Sequence, residues 1–200
     1  MDVALLLYEF ITVLLPAAAL ALCLRRSGGG RPARFWAVLA LFALYLAVTL
    51  RLTEAGALFD GLRRGFALRP WQINLVPFSR EMDISYPGNV LLFLPLGVLV
   101  PLLWKKWDRA GRVAGAALAL SFLIEASQLL NDRFSDVDDL IVNTAGALLG
   151  YVVFSLAARP KDRPRDEAPL WELPLYMLAM LAGHFFLFDE TAAAGLLGIL

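Results

Sequence analysis

Cysteine and histidine are almost missing from this 200-residue chain, which holds one of each, Cys23 and His184. A single cysteine excludes an intrachain disulfide and a multi-cysteine metal site, and a single histidine excludes a histidine cluster. Charge is scarce as well. Only 18% of the residues are Asp, Glu, Lys or Arg, where a soluble domain carries about a quarter. There is no internal repeat, heptad pattern or low-complexity tract, and no serine elbow, HExxH pair or phosphate-binding glycine loop. Nothing supports nucleic-acid binding.

What the chain does have is apolar length. Sixty per cent of it is hydrophobic, the mean hydropathy is +0.67, and several runs approach or exceed the ~18 residues that cross a bilayer. Six spans stand out, at 3–24, 34–51, 88–104, 112–130, 138–157 and 169–188. The expected fold is all-α, a polytopic membrane bundle of about six transmembrane helices with no room for a separate soluble domain. Residues 3–24 are read as a first span and not a signal peptide, because no basic residue precedes them and the run is longer than an h-region.

Basic residues orient the bundle. The loops 25–34, 105–112 and 158–168 hold four each: Arg25, Arg26, Arg31 and Arg34; Lys105, Lys106, Arg109 and Arg112; Arg159, Lys161, Arg163 and Arg165. That is twelve of the eighteen in the chain. The positive-inside rule puts these loops in the cytoplasm and both termini outside. The long second loop argues the other way with Arg51, Arg63, Arg64, Arg69 and Arg80, joined by Arg133 from a later turn, but the inverted topology places half as many charges inside. In the favoured orientation, Glu9, Glu125, Gln128, Asp138, Asp139, Asn143 and His184 all fall toward the outer ends of their helices.

The densest of this polarity lies in SFLIEASQLLNDRFSDVDDLIVNTAGALLGY, residues 121–151. A carboxylate inside a span is costly, on the order of 2.5–3.5 kcal/mol on insertion scales. Glu125 and Gln128 share a helix face at i, i+3. Asp136, Asp139, Asn143, Gly146 and Gly150 make a second face, with Asp138 about 100° away from it. Antiparallel packing through the short turn would set Glu125 against Asp139 or Asn143, with Arg133 as counter-ion. Asn89 at the start of the third span is either a cap or a further pocket amide.

NLVPF at 74–78, NVLLFLPLGVLVPLLW at 89–104, SFLIEASQ at 121–128 and RFSDVDDLIVNTAGALLGY at 133–151 together resemble the VanZ-like family of bacterial membrane proteins. On that basis the chain divides into two N-terminal helices and the start of the outer loop (1–71), a VanZ-like core (72–154), and a cytoplasmic loop with a last helix (155–200). The resemblance implies a cell-envelope role in the bacterial inner membrane, connected with susceptibility to teicoplanin. It settles no reaction.

Two readings of the polar cluster stand side by side. In the functional one, Glu125, Gln128, Arg133, Asp136, Asp139, Asn143 and Asn89 form an outer-leaflet pocket. Its partner is a membrane lipid or a lipid-linked envelope precursor, and its oxygens suit Mg²⁺ or Ca²⁺. In the bland one, Ser135 or Asp136 caps a helix and the acids answer its dipole. An enzyme acting on a lipid-linked substrate through the carboxylates is the alternative function, and a carrier is disfavoured by the lack of a mid-membrane site. GALLG at 146–150 and Gly111, Gly115 and Ala119 are read as close-packing stripes. Pro95 and Pro101 shape the third span, and FALRPWQINLVPFSR in the second loop is either an interfacial cover or a lid.

Overall fold

The structure, a computed structural model, describes residues 3–27, 31–66, 69–79, 85–131, 133–158, 168–196 and 198. Arg80 and the basic loop residues Arg159, Lys161, Arg163 and Arg165 lie outside the described residues. The chain is an all-α helical bundle. Its helices are α1 (Val3–Ser27), α2 (Ala33–Leu52), α3 (Leu58–Arg64), α4 (Ser85–Leu103), α5 (Ala110–Gln128), α6 (Val137–Ala157), α7 (Glu172–Leu187) and α8 (Glu190–Leu196). Five of them, α1, α2, α4, α5 and α6, are long and apolar enough to cross a membrane. The last expected span is the exception: α7 has 16 residues, about 24 Å at 1.5 Å per residue, short of a hydrocarbon core of ~30 Å.

Outward-facing side chains show what solvent surrounds the bundle. On α1, Val3, Leu7, Ile11, Leu15 and Leu22 are 56–69% exposed, an apolar stripe at near-helical spacing that only lipid would tolerate. The interior is equally apolar, centred on Phe42, Leu46, Phe93, Leu96, Trp104 and Leu120. Apolarity therefore cannot tell inside from outside, and close approach and polar links must do so.

Close approach is greatest between α4 and α6. These run parallel, with α5 as the return stroke between them. A Cβ added at Gly146 or Gly150 would overlap the carbonyl oxygen of Val90 or Leu94, and one added at Gly97 would overlap that of Ala147. The GALLG stripe is thus a backbone-to-backbone contact. The companion stripe is not: a Cβ added at Gly111 or Gly115 would meet nothing within 4 Å, and Ala119 is exposed. That stripe faces outward because Val113, Ala117 and Leu120, on the opposite side of α5, take the core positions.

Polar links collect at one end of the bundle, where α1, α4 and α6 begin and α2, α5 and α7 finish. There Arg51 lies 3.3 Å from Glu9, and the ring of His184, 2% exposed, meets Ala55 O at 2.9 Å. At the opposite end Arg31 grips Glu172 through both carboxylate oxygens, the second at 2.7 Å, and its guanidinium covers the Phe35 ring at 4.2 Å. Glu172 is 2% exposed, so Arg31→Ala strands a buried charge and should cost about 3–5 kcal/mol, whereas replacing both partners by Met should be near neutral. Thermal unfolding of the two variants side by side tests this. Equal losses would show that the ion pair is not the source.

Candidate functional site

The site is built at the turn joining α5 to α6. α5 stops at Gln128, two residues before the expected end of that span, so Glu125 lies about 4.5 Å inside the helix terminus at 1.5 Å per residue. The chain then reverses through residues 129–134, and α6 opens with Asp136 as its N-cap, whose carboxylate accepts from Asp138 N at 3.0 Å. This is the capping reading, and it is correct for Asp136. Its other oxygen accepts from Asn74 Nδ2 at 3.0 Å, so the cap also takes part in a longer-range contact.

Glu125 is 4% exposed and accepts from the Asp136 N–H at 3.0 Å. Its carboxyl group meets that of Asp139 across the helix pair, as the antiparallel packing predicts. Asp139, half-buried, in turn accepts from Asn89 Nδ2, and Asn89, inside α4 and not at its start, does not cap that helix. One turn deeper, Asn143 Nδ2 donates to Ser121 Oγ at 2.8 Å. Ser121–Asn143 and Glu125–Asp139 are therefore successive rungs of polar contact between α5 and α6, and Asn89 of α4 closes the upper rung.

Two expected members sit elsewhere. Arg133 does not neutralise the acids: its guanidinium pairs with Glu54 at the surface, in a bridge whose side chains are 45% and 63% exposed. Glu54 comes from the end of the second span, 79 residues away in sequence, a contact that no local spacing reveals. Gln128 does not reach the acid pair either. Its amide donates to Thr53 O, which ties the end of α5 to the end of α2.

Asp138, which from its spacing need not join the face of Asp139, holds a neighbouring segment against the turn. Asp138 has no exposed surface. It accepts from Phe78 N at 2.8 Å and from the Tyr86 hydroxyl at the start of α4. A carboxylate in the first turn of a helix answers the dipole, and that ordinary role hid this one. Asn74 and Gln72 were missed as well. Asn74 was visible in NLVPF but had no partner to assign, and Gln72 Nε2 donates to Arg133 O at 3.2 Å.

Together these contacts dock residues 70–79 onto the turn. Ile73–Asn74 pairs with Ser135–Asp136 as a two-residue parallel bridge, and Phe78 holds φ of 53°, a conformation that bulky side chains rarely adopt. The outer surface of the segment is apolar: Trp71, Leu75, Val76 and Phe78 are 56–74% exposed, and Trp71 packs edge-on against Phe134 with ring centroids 5.5 Å apart. The segment is a cover with polar contacts beneath and greasy side chains above. Among the described residues, no group of three or more His, Cys, Asp or Glu side chains could hold a metal ion.

The VanZ/LLP1 family model matches residues 33–158. The chain belongs to that family. It is also 28% identical over 147 residues to Protein VanZ of Enterococcus faecium, an alignment covering 70% of this chain and 88% of the relative. No solved structure matches. The family match starts earlier than the motif-bearing core at 72–154 and takes in α2, whose end supplies the Thr53 carbonyl for Gln128 and is followed by Glu54 for Arg133. With five apolar helices long enough to cross a bilayer, this member of the VanZ/LLP1 family is a multi-pass membrane protein.

Proposed function

We propose that this VanZ/LLP1 protein resides in the bacterial inner membrane and modulates the envelope's response to teicoplanin-type antibiotics by binding a lipid-linked envelope component at the polar turn. The observation carrying this reading is the Glu125–Asp139 contact, set at the bundle end assigned to the outer leaflet and covered by residues 70–79. Side chains this polar, gathered from α4, α5 and α6 at one depth, are what a headgroup site in a membrane requires. Similarity to Protein VanZ supports the envelope role.

The test is teicoplanin susceptibility of a sensitive host expressing wild type, Glu125→Gln or Asp139→Asn at matched membrane levels, with vancomycin as comparator. Wild type should protect, and both substitutions should return the host to the susceptibility of the empty vector. Protection that survives both substitutions would reduce the acids to structure.

A second reading rests on the same contact. Two carboxyl groups meeting away from bulk water are suited to general acid–base work on a lipid-linked substrate. Lipid extracts of membranes overproducing the protein would then contain an altered species that disappears with Glu125→Gln.

A further inference from the structure

Around the α5–α6 turn, the buried side-chain atoms left without a protein partner among the described residues are all amide oxygens: Gln72 Oε1, Gln128 Oε1, Asn131 Oδ1 and Asn143 Oδ1. For three of them the amide orientation follows from the neighbours. Gln72, Gln128 and Asn131 each turn their NH₂ toward a main-chain carbonyl, that of Arg133, Thr53 and Glu54 respectively. A carbonyl can only accept, so the oxygen must be the group left over. Asn143, 4% exposed, lies one rung below the acid pair with its NH₂ on Ser121 Oγ. Nearby arginines are engaged elsewhere: Arg133 on Glu54, Arg51 on Glu9, and Arg69 over the Trp71 ring. Among the described residues, the turn thus has a surplus of acceptors and two carboxyl groups with no cationic side chain on them.

From this surplus we infer that the site takes the primary ammonium of a lipid headgroup, held between Glu125, Asp139 and Asn143, and does not grip a phosphate. This rests on the lipid-binding reading above and narrows it to one chemistry. An ammonium brings three donors and no acceptor, which suits the Glu125 and Asp139 carboxyl groups with the Asn143 amide beside them. Among the described residues, a phosphate would meet like charge with no cationic side chain to hold it. Entry is past the half-buried Asp139 and Asn89, and the lipid character follows from the cover, whose exposed Trp71, Leu75, Val76 and Phe78 sit beside acyl chains.

The test uses the purified full chain in detergent, with folding of each variant checked by size exclusion and binding followed by native mass spectrometry. The probes are dioleoylphosphatidylethanolamine, its N-acetyl derivative, dioleoylphosphatidylglycerol, undecaprenyl phosphate and soluble ethanolamine. The ethanolamine lipid should bind, and N-acetylation, Glu125→Gln or Asp139→Asn should each weaken it by about tenfold or more, the equivalent of ~1.4 kcal/mol. Tighter binding of either anionic lipid, lost in the two variants, would keep the lipid site and overturn its preference for ammonium. Soluble ethanolamine binding as well as the lipid would overturn the lipid as the source. Binding of every lipid unchanged in both variants would overturn this inference and the reading beneath it.

Discussion

Asp138→Ala is expected to free residues 70–79 from the bundle and to lower stability more than any other single change at the turn. The carboxylate has no exposed surface and accepts from the Phe78 N–H and the Tyr86 hydroxyl. Hydrogen bonds to a charged group contribute about 1.5–3 kcal/mol each, so losing both removes roughly 3–6 kcal/mol. Part of that effect is specific to the cover. Phe78 holds a left-handed backbone, at φ 53°, and its N–H is the one that Asp138 accepts. Asp138→Asn retains an acceptor for Phe78 and should keep the segment docked at a reduced midpoint temperature. Limited proteolysis between α3 and α4 would show rapid cleavage in the alanine variant and slow cleavage in the asparagine one. Equal protection in both would mean that the bridge at Ile73–Asn74 suffices without Asp138.

Gly97→Ala should also be damaging, against what helix propensity alone suggests. Alanine is favoured over glycine in a helix by about 1 kcal/mol, but here its methyl group would overlap the Ala147 carbonyl and stand 2.6 Å from Tyr151 N. Both neighbours are backbone, so the helices must part. Overpacking of this kind costs about 1–3 kcal/mol, occasionally more. The separation also pulls Asn89 from Asp139, so the acid site should fail together with the fold. Gly111→Ala and Gly115→Ala, with nothing within 4 Å, should be neutral or stabilising by up to ~1 kcal/mol. Thermal unfolding across the three variants separates packing from propensity. A stabilised Gly97→Ala would mean that α4 and α6 are not locked backbone to backbone.

What could be read from sequence was local. Glu125 and Gln128 at i, i+3, a short turn, and Asp139 and Asn143 on one face beyond it were enough to set Glu125 against one of those two residues. The stripe of Asp139, Asn143, Gly146 and Gly150 was legible because it lies on one helix. Contacts bridging distant segments were not: Arg133 to Glu54, Asp138 to Phe78 and Tyr86, and Asn74 to Asp136 span 52 to 79 residues. Spacing carries no signal for such pairs. Small-residue stripes were ambiguous for another reason, since Gly115 against lipid and Gly150 against Leu94 look alike when lipid and core are equally apolar.

The parallel run of α4 and α6 also bears on how the molecule is made. During synthesis α5 enters the bilayer before α6 exists, and at that stage Glu125 has neither the Asp136 N–H nor the Asp139 carboxyl beside it. A chain truncated before Ser135 would leave the Glu125 carboxyl without the N–H that it accepts from in the finished bundle. The arrival of α6 supplies that N–H and brings Asn143 to Ser121, so pairing of the two helices and satisfaction of their polar groups are a single event.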